Sequence, residues 1–125
     1  MTYLDTAKIS RPTGGLTPYN LVALNTTNAN SVRASSGQLY GFEISGTNAA
    51  ARYVKLYDKA SAPTVGTDVP KLVLMTPISS ASRTFFNDIG IEFLLGIGIA
   101  ITVNAIYTDT TAVAANEVIV NLLYK

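Results

Sequence analysis

The chain has 125 residues, one domain's worth, and contains no Cys, no His and no Trp. The missing thiols and imidazoles exclude a disulfide framework, a thiolate nucleophile, a zinc knuckle and the commonest general base. Only 14% of residues are charged, against roughly 25% in typical soluble domains, and the nine cations behind the net charge of +1 are scattered without a run, so direct nucleic-acid binding is not expected.

Residues 1–18 hold Pro12, Gly14, Gly15 and Pro18 and few apolar residues in phase, which predicts an extended N-terminal arm. Tyr3, Leu4, Ile9 and Leu16 are its candidate docking anchors; a frayed terminus is the plainer reading. The opening "MTYLDTAKISRPTGG" has no apolar h-region and does not read as a Sec signal. From Tyr19 onward the signals are those of strands. "NLVALNTT" (20–27) reads as a strand covered on both faces, and "SVRASSG" (31–37) as a weak strand and a turn. "QLYGFEIS" (38–45) sets Tyr40, Phe42 and Ile44 on one face. "RYVKLYD" (52–58) turns Val54 and Leu56 inward and Tyr53, Lys55 and Tyr57 outward.

The connector "KASAPTVGTDVP" (59–70) is kept out of a sheet by Pro63 and Pro70, which cannot donate to a ladder, and its Lys59, Thr64 and Asp68 are expected to be exposed. "KLVLMT" (71–76) is apolar on both faces, and "SRTFFND" (82–88) reads as a short strand. "IEFLLGIGIAITV" (91–103) is too short for a spanning helix and carries Glu92, so no membrane association is expected and the run reads as buried strand. Within it Ile97, Ile99, Ile101 and Val103 alternate with Gly98, Ala100, Thr102 and Asn104. "DTTAVAANE" (109–117) reads as a loop. "EVIVNLLYK" (117–125) closes the chain with Val118, Val120, Leu122 and Tyr124 on one side. These segments predict an all-β fold of about eight strands, an antiparallel β-sandwich or jelly roll over 19–125.

Chemistry is sparse. A glycosidase-like carboxylate pair has only Glu43, Glu92 and Glu117 in or at the start of predicted strands, with nothing to bring two of them together. A calcium loop takes roughly 6 to 8 oxygens, and neither "TDTT" (108–111) nor "GTD" (66–68) approaches that. No catalytic residue, metal site or cofactor is expected. Tyr53 and Tyr57 share a strand face with Lys55 between them, which suits stacking on a sugar or partner chain; a stripe adding cross-strand stability is the alternative. The small-residue face Gly98, Ala100, Thr102 lets another surface approach closely: a symmetry mate, or a bulky neighbour of the same domain. With the low charge, these residues and Tyr53 and Tyr57 form the candidate subunit interface of a homo-oligomer, most simply a trimer.

"QLYGFEISGTNAAARYVKLYDKASAPTVGTDVPKLVL", then "IGIAITV" and "DTTAVAANEVIVNLLYK", resembles a recurring family of small bacteriophage proteins encoded among virion genes. The shared pattern is an "LYG" strand, a "YVKLY" strand, the "KASAPTVGTD" connector, a "GIAI" strand and a "DTTAVAA" ending, across residues 38–125. The chain departs from it at "GFEIS", where the family tends to have Trp, and around Leu94-Leu95. The resemblance implies a non-enzymatic virion structural protein made in the host cytoplasm. It points to a capsid decoration (cement) protein on the capsid surface, an oligomer and often a trimer, with the major capsid protein as partner. The alternatives are a tail, neck or fibre component with a receptor- or carbohydrate-contact role, and, from another class, a free carbohydrate-binding module.

Overall fold

The computed structural model describes residues 14–125. They form eight strands: β1 (Thr17–Val22), β2 (Asn30–Arg33), β3 (Gly37–Gly46), β4 (Tyr53–Asp58), β5 (Leu72–Met75), β6 (Ala81–Phe93), β7 (Ile97–Thr102) and β8 (Val118–Tyr124), with no helix among the described residues. Every pairing is antiparallel, and the sheets run β1-β8-β3-β6 and β2-β7-β4-β5. First pairs with eighth, second with seventh, third with sixth and fourth with fifth. The chain is thus one long hairpin rolled into two sheets, which is the jelly-roll topology. The 59–71 connector, between β4 and β5, is the tip of that hairpin.

The core lies between the sheets, on the inner faces of the four central strands. Leu39 and Ile44 of β3, Val54 and Leu56 of β4, Ile97, Ile99 and Ile101 of β7, and Val118, Val120 and Leu122 of β8 are all fully buried. Each such side chain contributes about 1.5–3 kcal/mol. The alternation read in β4, β7 and β8 holds, and β-branched residues dominate because they suit a pleated surface covered on one side.

Four local readings are corrected. Tyr40 does not share a face with Phe42 and Ile44. A register shift between Leu39 and Gly41 inserts Tyr40 as an extra residue against β8, so Leu39 takes the core position. The Tyr40 hydroxyl instead hydrogen-bonds the Gln38 amide oxygen. The 20–27 strand is an edge strand shifted to 17–22, with Val22 41% exposed and one face bare. It stops where Asn28, at φ 54°, accepts the Leu24 N–H at 2.9 Å and donates to the Leu24 and Thr26 carbonyls. Thr17 and Pro18 therefore belong to the sandwich; Pro18 sits on an edge strand, where its missing N–H is tolerated. The 82–88 strand extends over 81–93.

The run 91–103 is likewise two strands and a turn, not one strand. The Asp58 carboxylate accepts the N–H groups of Leu94 at 3.0 Å and Leu95 at 2.8 Å, fixing a turn that leaves both leucines 63% exposed. Gly96 follows where a Cβ would lie 2.5 Å from the Arg33 carbonyl oxygen and 2.8 Å from that of Lys59.

Candidate interaction surface

The two outer faces of the sandwich differ. That of β2-β7-β4-β5 is covered over β7 and β4 by the chain's own loops, while Val73 and Met75 of β5 on the same side stay exposed. Pro63 of the connector is buried and packs over Gly98: a Cβ there would stand 3.3 Å from Pro63 Cδ and 3.4 Å from the Ser61 oxygen. The connector is held folded by Asp68, which accepts from Lys59 Nζ at 2.5 Å and the Thr64 N–H at 2.7 Å, and by Gly66 at φ 93°. Lys59 pulls the Asp68 carboxyl below its ordinary range, the Thr64 N–H adding to this. Thr64 is exposed as expected, whereas Lys59 and Asp68 are half-buried in this contact.

The 103–117 loop covers the rest. Lys55 is fully buried beneath it and donates to the Ile106 carbonyl at 2.7 Å. Burial lowers the Lys55 ammonium's pKa, with Asp109 opposing. Asp109 pins the loop through the Asn104 N–H at 2.9 Å and the Thr111 hydroxyl at 2.7 Å. Burial raises the Asp109 pKa, but these hydrogen bonds outweigh it and hold the carboxyl low. Gly98, Ala100, Thr102 and Tyr57 are therefore buried within one chain and present nothing to a second subunit; Tyr53 is half-buried. Of the two surfaces considered for the small-residue face, the domain's own neighbour is the one found. Tyr57 keeps a buried hydroxyl without a hydrogen-bond partner among the described residues, and burial raises its pKa.

The acids hold the structure together. Glu117 is buried and accepts from Arg52 Nε at 3.0 Å and Nη2 at 3.1 Å, a bidentate pair, and from the Ala114 N–H at 3.0 Å. Burial pushes its pKa up, but Arg52, with the Ala114 N–H and Asn48, outweighs this and keeps it below the ordinary value. Asp58 is likewise held low: burial opposes ionisation, and the Leu95, Leu94 and Gly96 N–H groups prevail. Glu43, Glu92 and Glu117 are not brought together: Glu43 and Glu92 are exposed at separate positions on β3 and β6, and Glu117 is engaged with Arg52. No group of three or more acids that could hold a metal ion occurs among the described residues. A shallow groove of about 280 Å³, lined by Ser36, Gly37, Gln38, Glu92, Phe93 and Leu94, offers a single carboxylate.

Among the described residues, no loop covers the outer face of β1-β8-β3-β6. Register places outward side chains in straight rows, because directly opposed residues point to the same side. Pro18, Leu123, Gly41 and Phe86 form the first row, Asn20, Asn121, Glu43 and Thr84 the second, and Val22, Ile119, Ser45 and Ser82 the third. Glu43, the charge within these rows, is exposed and without an ion pair among the described residues, and the next row adds exposed Glu92 and Lys125, both paired through Gln38. Phe86, 63% exposed, lies over Gly41, where a Cβ would come within 2.4 Å of its ring. Asn20 donates to Asn121 at 2.8 Å. Alternation alone had turned Glu43 outward; what the sequence did not reveal is the pairing that lines these residues up. Of the arm anchors, Tyr3, Leu4 and Ile9 lie outside the described residues, and Leu16 is half-buried just ahead of β1.

No protein-family model matches the chain, and no curated protein does. Among solved structures it is similar to the Tobacco streak virus coat protein in a C2 crystal form, at 12% identity over 90% of this chain and 88% of that one, with a TM-score of 0.34. It is also similar to the Tobacco streak virus coat protein dimer, at 12% identity over 87% and 85%, with a TM-score of 0.31. Likeness at this level carries no argument about what the chain does.

Proposed function

We propose that this protein is a non-enzymatic structural component of a bacteriophage virion, a capsid decoration (cement) protein that binds and stabilises the head. The observation that carries the reading is the set of motifs shared with phage virion proteins over residues 38–125. In the fold those motifs are scaffold: "YVKLY" is β4, "KASAPTVGTD" is the connector folded over it, and "DTTAVAA" lies in the second covering loop. These segments thus build and cover the β4 and β7 side of the jelly roll. Among the described acids, Asp58, Asp68 and Asp109 are engaged with turns and loops and Glu117 with Arg52, while Glu43 and Glu92 are exposed at separate positions.

The partner in this reading is the major capsid protein, and the protein is displayed as a homo-oligomer, a trimer by resemblance. Its subunit contacts cannot use the buried Gly98, Ala100 and Thr102; the open β5 edge, with Val73 and Met75 43% and 45% exposed, remains available. The reading is tested by adding the purified chain to phage heads that lack it. Saturable binding in proportion to the major capsid protein, with release of DNA moved to higher temperature, is expected. Heads that take up none of the protein contradict it.

A further inference from the structure

We infer that the connector 59–71 is a strap with two positions: closed, lying over β4 and β7, and lifted, with the Tyr57 hydroxyl and the Gly98 backbone open to solvent. The inference goes beyond the decoration reading and does not depend on it. Tyr57 and Gly98 stand opposite each other on β4 and β7, and Pro63 packs over Gly98. Tyr57 is 1% exposed, and its hydroxyl is buried with no hydrogen-bond partner among the described residues. A buried hydroxyl left unmet raises the free energy of the closed position, and water meets it once the strap lifts. Burial of Pro63 acts in the opposite direction. The closed position is thus held by apolar contact against a standing polar cost, and lifting bares a patch that the closed form withholds from any partner.

The strap is braced inside and loose outside. Asp68 accepts from Lys59 Nζ at 2.5 Å and the Thr64 N–H at 2.7 Å, and the Thr67 and Asp68 N–H groups donate to the Thr64 carbonyl at 3.1 Å and 2.9 Å. Among the described residues, no hydrogen bond joins 61–70 to anything outside the connector. The bonds to the body sit at the two roots. There the Lys59 N–H donates to the Gly96 carbonyl, the Ser31 hydroxyl to the Ala60 carbonyl and the Lys71 N–H to the Leu56 carbonyl. The middle meets the rest of the fold by contact alone, Pro63 on Gly98 and Gly66 beside Thr110. The 103–117 loop differs, because Lys55 donates to its Ile106 carbonyl at 2.7 Å and Glu117 accepts its Ala114 N–H at 3.0 Å. A piece bonded within itself and hinged at two roots moves as a unit, so lifting 61–70 breaks packing contacts and no hydrogen bond.

The test is native-state digestion with trypsin of the wild type, Tyr57→Phe and Gly98→Ala. Cuts after Lys59 are followed by mass spectrometry, and urea unfolding is measured on each protein. When opening and closing are fast, the rate of that cut follows the lifted population. The wild type should be cut after Lys59 much faster than its global unfolding allows. Tyr57→Phe removes the unmet hydroxyl and should slow the cut about tenfold with no fall in the urea midpoint. Gly98→Ala sets a methyl 3.3 Å from Pro63 Cδ and 3.4 Å from the Ser61 oxygen. It should speed the cut severalfold and leave the midpoint nearly unchanged, because the strap yields and the sheet does not. Cleavage after Lys59 that only keeps pace with global unfolding overturns the strap. A Tyr57→Phe protein cut as fast as the wild type, or with a lower midpoint, overturns it too, since the hydroxyl was then already met in the closed position. A Gly98→Ala protein with a lower midpoint and no faster cut marks a fixed connector and overturns it as well.

Discussion

At the scale of single residues, stability is concentrated where backbone closes on backbone and where charge is buried. Gly96 is enclosed by main-chain atoms of Arg33, Ala60 and Lys59, none of which can swing aside. Gly96→Ala should destabilise the fold by about 1–3 kcal/mol or more, measured by urea unfolding. Thr102 is fully buried and donates to the Asn104 carbonyl at 2.8 Å. Thr102→Lys should therefore abolish cooperative unfolding; a folded variant would show that the covering loop lifts away. Glu117 sets part of the pH dependence. Its folded pKa lies below the ordinary glutamate value. Its contribution is thus complete above that value and lost as pH falls through the lower, folded one, because the unfolded chain then binds the proton first. Glu117→Gln should cost about 3 kcal/mol at pH 7, by leaving Arg52 unpaired. It should also flatten the acid limb of the stability profile, as followed by thermal melts from neutral to acid pH.

At the scale of elements, the edges and turns decide what is exposed. β1 begins at Thr17, and the composition ahead of it is what predicts a docking arm. Removing residues 1–13 should leave the melting curve unchanged and weaken binding to heads; loss of folding would make those residues part of the domain. Strand identity was legible wherever apolar residues alternate, as in Val54 and Leu56 or Ile97, Ile99 and Ile101, because one buried face is enough to write a period of two. It failed where a distant residue intervenes. The break at Leu94-Leu95 is imposed by a carboxylate 36 residues earlier in sequence, and no local pattern announces it. The bulge at Tyr40 is a property of pairing with β8 and β6. The covered face was legible in part: Lys55 and Tyr57 do point away from the core, but the loops that bury them close only in three dimensions.

At the scale of the whole molecule, a long hairpin rolls so that its tip and its 103–117 loop cover β7 and β4 of one sheet, while no described loop covers the other. The protein's far-UV spectrum should be dominated by β-structure. That this protein belongs to a virion head is tested most directly by its molar ratio to the major capsid protein in purified particles, by quantitative mass spectrometry. A fixed ratio corresponding to many copies spread over the head is predicted. Absence from the particles, or a handful of copies confined to one vertex, would contradict it.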